Sequence, residues 1–256
     1  MSQFERVSAI HCKSVAIDFP GDIRAVDQLD LSVKAGEIVS LIGPSGCGKS
    51  TLLKSLIGLL TPRSGSILLE GRNLWESSIK KRKEILKSFG VLFQGGALWS
   101  SMDLVENISL PLREYTNLRN REIREIVRYK LSLVGLSGYE NYFPSELSGG
   151  MKKRAGLARA MALDPSILFF DEPSAGLDPI TSRKLDELIS ELKQSLGMTF
   201  VVVTHELASI FAIADDAIFL DADTQTLLDQ GKPAYLEENS MHDRIREFLK
   251  RGLLSN

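Results

Sequence analysis

A glycine-rich segment, Gly43-Pro-Ser-Gly-Cys-Gly-Lys-Ser50, stands between an apolar run and a run of good helix formers. The preceding residues, Ile38–Ile42, have the character of a buried strand, and Lys49–Leu60 have that of a helix. Glycines at this spacing let several backbone N–H groups point at one anion, at the positive end of a helix. The strand–loop–helix context favours a phosphate-binding loop over an accidental glycine-rich turn.

Short apolar runs alternate with helical segments along most of the chain. The predicted strands are Ile38–Ile42, Val91–Phe93, Ile167–Asp171, Phe200–Thr204 and Ala217–Leu220, and the predicted helices are Lys49–Leu60, Met151–Leu163, Ile180–Leu196 and Leu207–Ala214. This order predicts an α/β fold with a mostly parallel sheet and right-handed crossovers. Three N-terminal stretches alternate more and predict an antiparallel sheet beside the core: Ala9–Phe19, Ala25–Val33 and Ser66–Glu70.

The predicted domain organisation has one insertion and one tail. The region from Gly95 to about Asp164 is rich in helical pattern, including Leu118–Val134, and predicts a helical subdomain inserted between core strands. We therefore expect a domain over residues 7–237 and a helical tail over residues 238–256. The tail from Asn239 to Arg251 predicts a helix whose one face carries Ile245, Phe248, Leu249 and Leu253. This stripe either packs on its own domain or contacts another subunit.

Composition excludes several classes of protein. The 256 residues carry a formal net charge of −2, which argues against nucleic acid binding driven by charge, and the basic run Lys80–Lys83 is expected to be a solvated surface. Two cysteines, Cys12 and Cys47, make no disulfide framework and fit a reducing cytoplasm. No apolar run is long enough to span a bilayer, and Met1–Ser14 lacks the apolar core of a signal peptide. Any membrane role is expected to require a partner.

Two acids end the apolar run Ile167–Glu172. A buried strand that ends in Asp171 would deliver a carboxylate to the edge of the sheet where Mg²⁺ is bound, and Glu172 would then polarise an attacking water. Lys49 would neutralise phosphate charge and the Ser50 hydroxyl would be a second Mg²⁺ ligand. The alternative is that both acids only end a strand.

A second glycine motif, Leu147–Met151, precedes the helix predicted over Met151–Leu163. Free N–H groups, the helix dipole and the Ser148 hydroxyl together form an anion site. Alone, such a motif would more often be a plain N-cap and turn. With Lys49 and Glu172 in the same chain, the nucleotide-binding interpretation is favoured.

Six ordered motifs resemble those of the nucleotide-binding subunits of ABC transporters, over roughly residues 7 to 237. They are Gly43–Thr51 (Walker A), Gln94 after Val91-Leu-Phe, Leu147–Met151 (signature), Ile167–Glu172 (Walker B), Ser174–Asp178 (D-loop) and Thr204-His205 (H-switch). The resemblance implies the ABC ATPase fold, ATP and Mg²⁺ as cofactors, and ATP hydrolysis coupled to transport.

The resemblance also implies roles for individual residues. Glu172, His205 and Gln94 would be catalytic. His205 would hydrogen-bond the γ-phosphate, and Gln94 would contact Mg²⁺ together with Ser50 and Asp171. Phe19 would stack on adenine, although a core phenylalanine is the alternative there. The other nucleotide contacts would be Gly43, Pro44, Ser45, Gly46, Cys47, Gly48, Lys49, Ser50, Thr51, Ser148, Gly149, Gly150 and Asp178.

The same resemblance implies that the second glycine motif acts on a second copy of the chain. Subunits of this family bind head to tail, so that Ser148, Gly149 and Gly150 of one copy would close over the ATP held by Lys49 of the other. Hydrolysis would then require a dimer with two composite sites. Because Cys47 lies in the phosphate loop, a thiol reagent is expected to block activity, with ATP protecting.

One branch of the family is most similar. The signature usually ends in Gln, and here that position is Met151, as in the ATPases of MCE-type lipid transporters such as the Mla systems of Gram-negative envelopes. Further segments look like that branch: Gly95–Asp103, Val105–Glu114, Pro144–Ala155 and Asp171–Thr181.

Membership of that branch implies partners and a location. The partners would be an integral-membrane permease, an MCE protein and in some systems a STAS-domain protein, with no nucleic acid, and the ATPase would sit at the cytoplasmic face of the inner membrane. The apolar patch Ala97–Trp99 and Met102 would receive the permease, unless Trp99 belongs to the subdomain core.

Three other functions remain open. One is an ABC transporter ATPase for another cargo, such as amino acids or lipoproteins, against which Met151 and the segment after Gln94 argue. A non-transport ABC protein acting on ribosomes or DNA would usually fuse two nucleotide domains or insert a long coiled coil. A small-molecule kinase would not explain Leu147–Met151 or His205.

Overall fold

The computed structural model describes residues 8–19 and 23–250, which form two sheets and the helices around them. An antiparallel sheet has the order β2-β1-β4-β5, and a larger sheet has the order β10-β9-β3-β8-β7-β6. The strands are β1 (Ser8–Phe19), β2 (Ile23–Lys34), β3 (Ile38–Ile42), β4 (Ser64–Leu69), β5 (Arg72–Asn73), β6 (Phe89–Leu92), β7 (Ile167–Asp171), β8 (Thr199–Val203), β9 (Asp216–Leu220) and β10 (Leu227–Gly231).

Helices cover both faces of the larger sheet. They are α1 (Lys49–Leu56), α2 (Ile79–Lys87), α3 (Leu104–Tyr115), α4 (Asn120–Leu133), α5 (Gly149–Ala160), α6 (Pro179–Leu196), α7 (Leu207–Ile213), α8 (Pro233–Asn239) and α9 (Asp243–Lys250). None of them, within the described chain, is long and apolar enough to cross a lipid bilayer.

The strand order of the larger sheet determines which loops meet. Strand β8 lies between β3 and β7, and all three are parallel, with Val203 paired to both Leu41 and Asp171. The carboxyl ends of β3, β6, β7 and β8 therefore share one edge, which is where α/β proteins bind ligands.

The predicted fold class is confirmed. The α/β core, its mostly parallel sheet and the N-terminal antiparallel sheet are all present, and β10 adds one antiparallel edge strand beside β9. Helix α1 is shorter than predicted, because Gly58 with φ of +83° ends it after Leu56 in the left-handed conformation.

Three helices, α2, α3 and α8, were not predicted. Helix α3 contains Pro111, which normally disfavours a helix interior, but the capping box of Asp103 and Glu106 fixes its start. Helix α2 carries the basic run, whose lysines are exposed as expected. Arg82 differs from them, since its guanidinium stacks over Trp75 at 5.1 Å.

Helices α3, α4 and α5 follow β6 and precede β7, the place where the sequence predicts inserted helices. They bury a common apolar cluster that includes Leu104, Ile108, Val127, Leu131 and Leu157. The same cluster reaches Phe170 and Phe200 of the larger sheet. The inserted helices are therefore packed directly onto the strands that end in Asp171 and Val203.

The tail packs on its own domain. Ile245 and Leu249 of α9 are fully buried in a cluster with Ile42 and Leu236, and the rings of Phe248 and Phe219 meet edge to face with their centroids 5.4 Å apart. The stripe is therefore a domain contact for these three tail residues. The predicted boundary at residue 7 and the last stripe residue, Leu253, lie outside the described residues.

Candidate active site

The phosphate-loop segment is held between two strands of different sheets. Gly43 follows β3 and Gly48 precedes α1, with φ of +140° and +95°. A Cβ at Gly43 would stand 2.2 Å from the Leu220 carbonyl oxygen, and one at Gly48 would stand 2.5 Å from that of Ala25. Glycine is required at both positions because the neighbouring backbone leaves no room and because the conformation is left-handed.

Lys49 turns back over the same loop. Its Nζ donates to the carbonyl oxygens of Gly43, at 2.8 Å, and Pro44, at 2.9 Å. Pro44, Ser45 and Gly46 are exposed, so this part of the loop is open to solvent. This arrangement offers a cation and free backbone N–H groups to an anion of phosphate size.

Cys47 faces the interior. Its side chain is only 1% exposed, and its Sγ lies 3.5 Å from Lys49 Nζ. Burial limits access of a reagent in solution to this thiol, so the predicted block by thiol reagents requires the loop to open. Thr51, in the first turn of α1, is likewise buried.

Ser50 and Asp171 are brought together across the sheet edge. The Ser50 hydroxyl lies close enough to the Asp171 carboxylate to influence its pKa. Burial raises the pKa of Asp171, while the charge of Lys54 and the Ser50 hydroxyl act in the opposite direction. A hydroxyl and a carboxylate are hard oxygen ligands of the kind that Mg²⁺ takes.

The donor set fits Mg²⁺ better than a metal held by protein alone. Among residues 8–19 and 23–250, no group of three or more His, Cys, Asp or Glu side chains could enclose a metal ion. Mg²⁺ in nucleotide sites usually keeps waters and takes one or two protein ligands plus phosphate oxygens. Ser50 and Asp171 match that requirement.

Glu172 and His205 form a hydrogen-bonded pair. His205 Nδ1 lies 2.9 Å from Glu172 Oε1, and the side chains are 70% and 19% exposed, respectively. Glu172 has a left-handed backbone with φ of +49°, and its N–H donates to the Val203 carbonyl at 2.9 Å. A carboxylate fixed by a histidine at the sheet edge can accept a proton from a water molecule there.

Gln94 follows β6 and is exposed at the same edge. Its backbone carbonyl oxygen accepts a hydrogen bond from the Lys153 ammonium of α5. Sequence reasoning did not single out Lys153, because a lysine on a helix is normally a solvated residue.

The second glycine motif lies elsewhere, at the start of α5. Ser148 caps this helix by accepting from the Met151 N–H at 3.3 Å. A Cβ at Gly149 would meet Leu177 at 3.5 Å, and one at Gly150 would meet Thr181 at 2.4 Å. The motif therefore packs beside the D-loop and α6 of its own chain.

Asp178 ends the D-loop and caps α6. Its carboxylate accepts from the Thr181 hydroxyl at 2.5 Å and from the N–H of Thr181 at 3.0 Å and of Ile180 at 3.1 Å. The Thr181 hydroxyl bond, followed by the backbone bonds, holds the pKa of Asp178 below its usual range. The hydrogen bonds of this carboxylate are thus made to the first turn of α6 in this structure.

Phe19 is at the end of β1 and is 42% exposed, so the alternative of a core phenylalanine is wrong. It pairs with Ile23 across the hairpin to β2. Strand β2 contacts the phosphate loop where Ala25 meets Gly48. The aromatic face is therefore carried by a hairpin that abuts the loop.

Trp99 is 60% exposed, so the alternative of a subdomain core is wrong for it. The backbone N–H of Trp99 donates to Asn107 Oδ1 at 2.8 Å, and Asn107 Nδ2 donates to the backbone carbonyls of Trp99 and Met102. A groove of about 340 Å³ runs beside it, lined by Phe93, Trp99, Leu110, Pro111, Tyr115 and other residues. The apolar surface is thus presented on a braced loop.

Comparisons with known proteins find a matching family and similar chains. Residues 26–175 match the family model described as ABC transporter. The chain is 42% identical to the intermembrane phospholipid transport system ATP-binding protein MlaF of Haemophilus influenzae, over 90% of this chain and 86% of that protein. It is 49% identical to the probable ribonucleotide transport ATP-binding protein mkl of Mycobacterium leprae, over 81% of this chain.

The mycobacterial match spans only 60% of the length of that relative. Among solved structures, a dimeric post-hydrolysis state of the ATP-binding cassette MJ0796 bound to ADP and Pi superposes with a TM-score of 0.78. The two are 29% identical, and the match covers 87% of this chain and 98% of that one.

Proposed function

The chain belongs to the ABC transporter family, and on that premise we propose that it is the ATP-hydrolysing subunit of a transporter that moves phospholipids across a bacterial envelope. The observation that carries the proposal is the meeting of Lys49, the Ser50–Asp171 pair and the Glu172–His205 pair at one sheet edge. We assign residues 7–237 to the ATPase domain, with residues 95–164 as its helical subdomain, and residues 238–256 to a tail.

The nucleotide site is proposed as follows. The phosphates of ATP are held by the backbone N–H groups of residues 43 and 45–51 and by Lys49, and Phe19 stacks on the adenine. Ser50, Asp171 and Gln94 hold Mg²⁺, which supplies charge neutralisation when it is bound.

Each step of hydrolysis is assigned to this chain's own residues. Glu172 accepts a proton from the attacking water, and its distance to His205 Nδ1 supports that role because the histidine fixes the carboxylate. His205 is exposed enough to reach the γ-phosphate as well. Lys49 stabilises the charge that develops on the transferred group.

A second copy of the chain is proposed to complete the site. Ser148, Gly149 and Gly150 pack on their own D-loop and not on their own phosphate loop, which leaves the N–H groups of α5 to a nucleotide held by a partner. The relative MJ0796 is dimeric in its ADP-bound and Pi-bound state. Asp178 would contribute to the same interface through the D-loop.

The membrane partner is proposed to dock on the Trp99 groove. An exposed tryptophan braced by Asn107 beside an apolar groove suits an interface anchor. A permease bound there would hold the ATPase at the cytoplasmic face of the inner membrane. An MCE protein and a STAS-domain protein complete the proposed assembly.

The proposed cargo is phospholipid. Phospholipid is favoured because the MlaF match covers nearly the whole of both chains. The relative named for ribonucleotide transport is more identical, but over only 60% of its length. Ribonucleotide is therefore the second candidate cargo, ahead of amino acids or lipoproteins.

Affinity purification of the tagged chain from detergent-solubilised membranes tests the proposal. We expect recovery of an integral-membrane protein with bound phospholipid, and an ATP turnover by the complex that phospholipid stimulates. Glu172→Gln should recover the same partners without turnover. Recovery of the ATPase alone or with ribosomes would overturn the transporter function, and stimulation by ribonucleotide only would overturn the cargo.

A further inference from the structure

Lys153 is a buried cation that contacts two segments of the active site. Its side chain is 6% exposed, and its ammonium donates to the carbonyl oxygens of Gln94 and, at 3.4 Å, Glu172. Burial lowers the pKa of Lys153, and the charge of Glu172 opposes that effect. Burial of an ammonium group costs free energy unless hydrogen bonds compensate it, and the two carbonyl contacts of Lys153 provide that compensation.

The Glu172 contact bears on a strained backbone. Glu172 has φ of +49°, which a residue with a Cβ seldom adopts unless its surroundings hold it there. Its N–H is held by Val203, and its carbonyl accepts from the Ala175 N–H at 3.2 Å as well as from Lys153. Lys153 is therefore one of the groups that fix the backbone from which the carboxylate projects.

The Gln94 contact is one of several by which α5 holds the segment after β6. Lys153, Gly156 and Arg159 are three residues apart and face the same way on α5. A Cβ at Gly156 would stand 2.8 Å from the Gly96 carbonyl oxygen, and Arg159 donates to the Ala97 carbonyl. The segment 94–97 is thus pressed against one face of α5 by two cations and a close backbone contact.

The same helix begins at the second glycine motif. Ser148 caps α5, and Lys153 lies little more than one turn further along. Because Lys153 lies in the same continuous helix, a displacement of the helix start would move the Lys153 ammonium relative to the backbone carbonyls of Gln94 and Glu172.

We propose that Lys153 is a positioning residue that couples the place of α5 to the backbones of Glu172 and Gln94. When a nucleotide held in the second copy binds Ser148 and Gly149, α5 would then fix the position of the Glu172 carboxylate of this chain. The two composite sites would be linked in this way. This inference rests on the proposed function. It assigns Lys153 no contact with the nucleotide.

Steady-state ATP hydrolysis by purified dimers of wild type, Lys153→Met and Lys153→Arg tests the role. Lys153→Met keeps the apolar stem and loses the donors, so kcat should fall about 10- to 100-fold while the KM for ATP changes less than about twofold. Lys153→Arg retains donors for both carbonyls and should recover most of kcat. Lys232→Met, at an exposed lysine before α8, should match wild type.

A double-variant cycle separates positioning from general damage. Once the carboxylate is gone its position has no effect, so Lys153→Met should add nothing to the loss of kcat in Glu172→Gln. Lys153→Gln, which keeps an amide NH2 donor group, replaces Lys153→Met if that variant unfolds or loses ATP binding.

Three results would overturn the inference alone: unchanged kcat in an active background, a rise in KM as the main effect, or no recovery with Lys153→Arg. A wild-type protein that binds ATP but never hydrolyses it, even with its membrane partners, would overturn the proposed function and this inference with it.

Discussion

His205 Nδ1 and Glu172 Oε1 lie 2.9 Å apart, although 33 positions of sequence separate the two residues. The contact exists because β7 and β8 are adjacent and parallel, so that Asp171 pairs with Val203 and the residues after each strand meet. The pair joins a half-buried carboxylate to an exposed imidazole. We expect the two side chains to act as one unit in catalysis.

Replacement of Glu172 by Gln should abolish turnover and spare binding. The amide cannot accept the proton, so kcat should fall by about 10² to 10⁴ while ATP binding persists. The measurements are single-turnover hydrolysis and the stoichiometry of bound ATP. Glu238→Gln, at an exposed residue of α8, is the matched control. Undiminished hydrolysis by Glu172→Gln would remove Glu172 from the reaction.

Replacement of His205 by Ala should lower kcat as well, because it releases the carboxylate and removes a phosphate contact. Residues that act as a unit give non-additive losses. The double variant should therefore be no slower than the slower single variant. A fully additive loss, measured in the same assay, would show that the two side chains act independently.

Gly48→Ala should cost more than the ordinary penalty of a left-handed residue. Gly138, with φ of +89° and open space around it, is the control, and Gly138→Ala should lower the free energy of unfolding by about 1 kcal/mol. At Gly48 the new Cβ would also stand 2.5 Å from the Ala25 carbonyl oxygen. We expect a larger loss of stability in urea and no measurable ATP binding; equal losses for the two variants would contradict the close contact.

Asp186 should make stability depend on pH below neutrality. Burial raises the pKa of Asp186 to about 6, opposed by the Ser209 hydrogen bond and assisted by the charges of Glu206 and Glu187. The unfolded chain titrates this group near pH 4, so the folded protein binds the extra proton between about pH 4 and 6. Its contribution is therefore present at acid pH and is lost as pH rises through 6.

Asp186→Asn removes that titration. The stability of wild type relative to the variant should fall by about 2 kcal/mol between pH 4 and pH 7 and then level off. Urea unfolding of both proteins across this range is the measurement. Parallel profiles would show that Asp186 does not titrate with a raised pKa.

Trp99→Ala should separate coupling from catalysis. The side chain is 60% exposed, so its loss should change the free energy of unfolding by less than about 0.5 kcal/mol and leave ATP binding intact. Recovery of the membrane partner in affinity purification should drop. Tyr235→Ala, at an equally exposed aromatic on α8, is the control and should retain the partner. Full retention by Trp99→Ala would exclude the groove as the docking surface.

Local patterns were sufficient where a segment's own residues decide its structure. Strand β7 was predicted with its observed bounds because Ile167–Asp171 is a continuous apolar run ending in an acid. The phosphate loop was recognisable because its glycines are required by the backbone itself. Helix α3 was missed because Pro111 contradicts the local rule, and the capping box and burial of Ile108 and Leu112 outweigh it.

The residue types, their order and the family resemblance were all readable from the chain, because motif spacing and apolar periodicity are local properties. Only the tertiary structure decided that β8 lies between β3 and β7, and this strand order brings Ser50 to Asp171 and His205 to Glu172. It also buried Cys47 and Lys153 while exposing Phe19 and Trp99. Burial and strand neighbours depend on contacts between distant segments, which no local pattern of residues encodes.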